Sequence, residues 1–239
     1  MNEPPREQVG QRLREVRARI VEAARRAGRS PAAVRLVAVS KAATPAQVLG
    51  AYAAGQREFG ESRVQDALPK LDLLPDDVVW HLIGHLQSNK VNKVLGRFDL
   101  VHAVDGFELG QRLSEKSLER ELLTPVLLQV NCSGEESKQG VSPGEAEDLA
   151  LALAELRGIV VKGLMTMAPP LQSGGAEAVR ASFRQLAALR DGLRGRDLPR
   201  LPVEELSMGM SGDFEIAVEE GATILRVGAA IFGASPLDA

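Results

Sequence analysis

Eight times along the chain a short apolar run gives way to an amphipathic stretch with helical spacing, and few folds accept that alternation. The spacing predicts strands over Arg35 to Lys41, Glu58 to Glu61, Val78 to Gly84, Leu100 to Val104, Pro125 to Val130, Ile159 to Met167, Glu205 to Met208 and Thr223 to Val227. A helix follows each: one through Val48, Leu49 and Tyr52, then Val64 to Leu71, Lys90 to Leu95, Glu108 to Arg120, Gly144 to Leu156, Ala176 to Leu193, Phe214 to Glu219 and a last short one. Parallel strands need crossover helices, and right-handed crossovers wrap into a closed barrel, so the expected fold is α/β, a single (β/α)8 TIM barrel. An open doubly wound sheet would carry a glycine-rich phosphate turn after its first strand, and Ser40-Lys41-Ala42-Ala43-Thr44 is not one. Arg6 to Ala27 forms an extra N-terminal helix ended by Gly28, giving one domain over 1–239: N-terminal helix 1–30, barrel 31–233.

Composition narrows the function classes. A formal net charge of -3 leaves no field of one sign to recruit nucleic acid, and 3% aromatics make no stacking platform for bases. The N-terminus, Met-Asn-Glu-Pro-Pro-Arg-Glu, lacks the apolar core of a leader, and no run reaches the roughly 18 apolar residues of a membrane span. A cytoplasmic protein acting on a small molecule is expected, without nucleic-acid or membrane partners. Cys132, the single cysteine, follows an apolar run with no His or acid beside it and reads as a structural thiol.

In a barrel of this kind, chemistry sits at the C-terminal ends of the strands. Lys41 stands at such an end and is the only lysine before Lys70. With Lys41, Val39 and Val37 facing inward, the amine would sit above a branched apolar layer, partly desolvated, and desolvation favours the nucleophilic form of an amine. A solvated surface charge is the ordinary alternative for such a lysine. Arg226 near the end of strand eight is costly to bury without an acceptor, and Gly228 lets backbone approach a ligand closely. An acid on a neighbouring strand is the ordinary partner for that arginine.

The run Ser207-Met208-Gly209-Met210-Ser211-Gly212-Asp213 offers backbone amides and Ser211 for an anion, although Ser211 or Asp213 capping a helix is the commoner use. Loops seven and eight of a barrel together make a phosphate site. His81 reads as core and His85 as loop. They form no metal site, because the run is strand rather than helix and no glutamate follows His81. Asn131, Lys138 to Gly140 and Met165 to Met167 are further candidates to line a pocket, against core packing or solvated loop.

The order of Ala38-Val39-Ser40-Lys41, Phe59-Gly60-Glu61, His81 to Lys90, Gly163 to Met167, Ser207 to Ser211 and Arg226 to Gly233 closely resembles the pyridoxal phosphate homeostasis protein family, the YggS and PROSC proteins. One departure is Ser62, where the family commonly has Asn. The resemblance implies a barrel like the N-terminal domain of alanine racemase, with pyridoxal 5′-phosphate (PLP) as cofactor, joined to Lys41 as an internal aldimine. It implies a phosphate site at Ser211, Gly228 and Ala229 and places Arg226 against the pyridine nitrogen, with Ser207, Met208, Met210, Asn89 and Met165 as further cofactor-binding positions. A cationic donor at that nitrogen disfavours ring protonation and weakens carbanion stabilisation.

The sequence ends at Ala239, just past its last barrel helix, and its one tyrosine, Tyr52, lies mid-helix, so no second base is evident. The expected function is a monomer that buffers PLP reversibly and supplies it to apo forms of PLP-dependent enzymes, with no established catalytic residue. A weak PLP-dependent amino-acid racemase and a Schiff-base lysine enzyme acting on a phosphorylated substrate are the alternatives.

Overall fold

Eight parallel strands close into a barrel in which sequence neighbours pair throughout and the last strand returns to the first. The computed structural model describes residues 6–135 and 137–233, so the expected domain bounds at 1 and 239 lie outside the described residues. The strands are β1 Arg35–Val39, β2 Glu58–Glu61, β3 Val79–Leu82, β4 Leu100–Val104, β5 Thr124–Gln129, β6 Ile159–Met165, β7 Glu205–Ser207 and β8 Ile224–Val227. The helices are α1 Arg6–Arg26, α2 Pro45–Ala53, α3 Val64–Leu71, α4 Val91–Val94, α5 Phe107–Leu118, α6 Ala146–Ala154, α7 Leu171–Arg194, α8 Phe214–Glu219 and α9 Ala229–Phe232.

Alternation along each strand divides the core. Val37, Leu100, Leu127, Met165 and Ile224 face the barrel interior, while Ala38, Phe59 and Leu82 join the layer between strands and helices. That outer layer holds the Phe59 and Trp80 rings 5.5 Å apart. Helix α2 starts where the sequence predicts, because Thr44 and Gln47 close a capping box and Pro45 occupies the first turn. Helix α1 buries Val9, Leu13, Val16 and Ile20 against α2, α8 and α9, covering the outside of the barrel where β8 meets β1.

Most elements begin or end within two residues of the expected bounds, and two of the differences bear on the mouth of the barrel. Strand β1 ends at Val39 rather than Lys41, because the Ser40 carbonyl already accepts the Ala43 N–H of the following turn. The loop expected before Ala176 carries a helical turn from Leu171. There the Ser173 and Gly174 amides donate to Pro170 O, and Gly175 (φ 72, ψ 167) breaks the helix before it resumes.

Candidate functional site

Because β8 pairs with β1, the strand-end residues of the first and last units are neighbours across the barrel mouth: Val37 is in register with Arg226 and Ala38 with Val227. Lys41 lies two residues past β1, in a turn, and its side chain is exposed. The partial desolvation expected of its amine is therefore corrected, since the apolar layer ends at Val39 and the turn carries Lys41 beyond it.

The turn itself is firmly held. Ser40 N–H donates to Gly60 O at 2.9 Å, Ser40 Oγ donates to Glu61 Oε1 at 2.6 Å, and Lys70 Nζ reaches both Ser40 O at 2.5 Å and Glu61 Oε1 at 2.8 Å. Glu61 is fully buried on the outward side of β2, and its Oε2 accepts no hydrogen bond. A buried carboxylate is tolerable only with such charge-assisted partners. The turn that carries Lys41 is thus clamped from the helix layer by Glu61 and Lys70, neither of which the sequence reading assigned a role.

Arg226 is buried at 4% exposure, with Nη1 donating to Ser207 Oγ at 2.6 Å and Nη2 to Thr166 O at 2.8 Å. Its partners are a hydroxyl and a carbonyl rather than the neighbouring-strand acid weighed from sequence. Burial pushes its pKa down to about 10, which still leaves it cationic at neutral pH.

Beyond Arg226 the backbone at Gly228 lies flat against β1, where a Cβ would stand 3.1 Å from Val39 O. Ser211 Oγ accepts the Ala230 N–H of α9 at 3.1 Å, which leaves its own O–H to donate outward. Asp213 precedes α8 without capping it; its carboxylate instead accepts the Met210 N–H at 2.5 Å. Burial raises the Asp213 pKa above the usual carboxylate value.

The remaining sequence-derived positions scatter. Ser207 and Met165 are sealed inside the barrel, the Met208 side chain packs into the helix layer, and Met210 and Asn89 are exposed. His81 is buried and His85 exposed, as read from sequence. Tyr52 donates to Asp77 Oδ1 at 3.0 Å; Asp77 precedes β3, so the tyrosine hydroxyl is tied to the N-terminal side of the barrel, away from Lys41. Cys132 is buried, with its thiol pushed up to about 11 by that burial, in keeping with a structural role.

The residue the sequence reading missed is His102, which an apolar run, Leu-Val-His-Ala-Val, disguises as core. It is fully buried between His81 and Ser207, and its pKa is held well below the usual histidine value by burial, reinforced by the nearby Arg226 and Arg35 guanidiniums. The folded state therefore binds fewer protons than the unfolded one below about pH 6.5, so stability is present above that pH and lost as pH falls through it. The expected slope is about 1.4 kcal/mol per pH unit for this one group. Denaturant titrations between pH 7 and pH 5 should show that slope reduced in His102→Gln.

Comparison with known proteins matches residues 12–236 to the alanine racemase N-terminal domain. The Aquifex aeolicus pyridoxal phosphate homeostasis protein is 42% identical over 93% of this chain and 96% of its own. This chain belongs to the pyridoxal phosphate homeostasis protein family. The structure of PipY from Synechococcus elongatus PCC7942 with PLP bound matches with a TM-score of 0.80 at 37% identity, covering 94% of this chain and all of that one. A protein of Bifidobacterium adolescentis described as unknown superposes with a TM-score of 0.91 at 36% identity over 97% of this chain and 98% of its own. Agreement over nearly the whole barrel means that the family resemblance drawn from six short segments extends to the complete fold.

Proposed function

We propose that this protein holds PLP at the C-terminal mouth of the barrel and buffers it as a reversible carrier for other enzymes in vitamin B6 and amino-acid homeostasis. The observation that carries the reading is the pairing of β1 with β8, which makes neighbours of the lysine turn, the buried guanidinium and the glycine backbone before α9. The donor set fits the group: an amine for an aldehyde at Lys41, a permanent donor for a ring nitrogen at Arg226, and small residues with a hydroxyl donor for a phosphate at Ser211, Gly228 and Ala229. When bound, PLP supplies a reactive aldehyde and a ring that can accept electrons.

Arg226 holds a positive charge at its end of the pocket and does not give up a proton near neutral pH. That keeps the ring nitrogen an acceptor and favours holding over turnover. With Tyr52 tied to Asp77, a racemase lacks the tyrosine base that would complete it. No described helix is long and apolar enough to cross a membrane, and we take the protein to act as a cytoplasmic monomer over 1–239.

The test is transfer. Protein incubated with PLP and freed of excess by gel filtration should retain visible absorbance and restore activity to an apo PLP-dependent enzyme. Failure to retain PLP would overturn the reading. Rapid, saturable exchange of solvent deuterium into amino acids at Cα would replace the carrier with a racemase.

A further inference from the structure

Below the mouth, polar contacts continue down the inside of the barrel from strand to strand. Arg226 Nη1 donates to Ser207 Oγ at 2.6 Å; Ser207 Oγ lies 2.9 Å from His102 Nδ1, and His102 Nε2 lies 2.9 Å from His81 Nδ1. His81 Nε2 then stands 3.2 Å from Glu58 Oε2, close but off the line of a well-directed hydrogen bond. Arg35 holds the far end: its Nη1 is 3.7 Å from the same Glu58 oxygen, and its Nη2 donates to Glu205 Oε1 at 2.7 Å. Arg226, Ser207, His102 and His81 are all buried at 4% exposure or less.

The two ends set the direction of every bond between them. A guanidinium can only donate and an ionised carboxylate can only accept. Ser207 Oγ, accepting from Arg226, has its proton available for His102 Nδ1. His102 then carries its proton on Nε2 and donates to His81 Nδ1, and His81 carries its proton on Nε2, facing Glu58. With both rings neutral and Glu58 ionised, this is the order that sets a donor against an acceptor at every step, His81 Nε2 facing Glu58 Oε2 at 3.2 Å without a directed hydrogen bond. Such a one-way chain inside a barrel is cooperative, each bond polarising the next.

We infer that Ser207, His102 and His81 are positioning residues that form an ordered relay, fixing Arg226 as a donor toward the mouth and tying it to Glu58 at the opposite face. The inference deepens the proposed function, resting on its assignment of Arg226 to the cofactor ring. The relay holds the guanidinium through Nη1 while Thr166 O holds Nη2, so a ring nitrogen meets a donor whose position is already set. Apolar side chains at His81 and His102 would fill the same space without orienting anything, which separates a relay from simple core filling.

The test reads the rings directly. In full-length, cofactor-free protein carrying ring-15N histidine and His85→Gln, only His81 and His102 contribute. At pH 7.5 each should show a protonated Nε2 and a bare Nδ1. An Nδ1-protonated ring at either position would overturn the relay. Ser207→Ala should abolish the single tautomer at His102 and weaken PLP retention about tenfold, the worth of one buried charge-assisted hydrogen bond. Ser207→Thr, which keeps the hydroxyl, should restore both. A folded Ser207→Ala protein with unchanged ring signals and PLP affinity would refute the proposal, and if that variant fails to fold, the wild-type spectrum still decides. Should the wild-type protein take up no PLP, the functional reading falls while the ring assignments still judge the relay on their own.

Discussion

Lys41→Ala is expected to fold as the wild type does and to lose its borohydride-fixed pyridoxyl label completely. The side chain is exposed in a turn held by backbone and by its neighbours, and a surface substitution of this kind changes stability by less than about 0.5 kcal/mol. Loss of label therefore reports the missing amine and not a damaged barrel. Six other lysines remain as internal controls. Lys70 is the instructive one, because it lies closest in role, against Ser40 O and Glu61, yet its amine is engaged by both. Peptide mass mapping after reduction should find the label on the Lys41 peptide in the wild type and on no peptide in the variant. A label on Lys70 or Lys90 would show that the mouth had been read at the wrong strand end. Some reversible PLP binding should survive in Lys41→Ala, since Arg226 and the glycine backbone at Gly228 are untouched.

The proposed site was open to reading from sequence because its best-marked residues stand at or just past the end of a strand. Lys41 and Arg226 are costly residues at the ends of apolar runs, and alternation alone is enough to put them on one end of a barrel. That they share an edge follows from closure, which the expected barrel entails, and the register of β8 with β1 sets Arg226 beside Val37. What stayed hidden has no local signature. His102 finds Ser207 across 105 positions and His81 across 21, and within its own strand it is one polar side chain among four apolar ones. Glu58 and Arg35 open their strands, and nothing in the sequence around either marks the other as its neighbour. The desolvation expected at Lys41 failed for a local reason: inward parity holds only while the strand lasts, and Ser40 ends it by giving its carbonyl to Ala43 and Lys70.

That same carbonyl makes Lys70 the other sensitive point. Lys70→Met should destabilise the protein by about 3 to 5 kcal/mol, because it strips the cation from a carboxylate with no exposure to water. Among the described residues Ser40 Oγ would remain the sole donor to the Glu61 carboxylate, and Oε2 accepts nothing already. Adding Glu61→Gln should recover most of the loss, since an uncharged amide needs no counter-ion and replacing both members of a buried pair is often near neutral. Urea denaturation of the two single variants and the double variant completes the cycle, and their non-additivity measures the pair.

PLP retention should follow a different pattern. Both Lys70→Met proteins have lost the charged donor to Ser40 O, so the turn before Lys41 loosens in the double variant as well, although its stability returns. Stability restored without retention would identify Lys70 as the residue that holds the lysine turn in place. A cost below about 1 kcal/mol for Lys70→Met would instead mean that water reaches Glu61 and that Ser40 N–H and Gly60 O hold the turn without help.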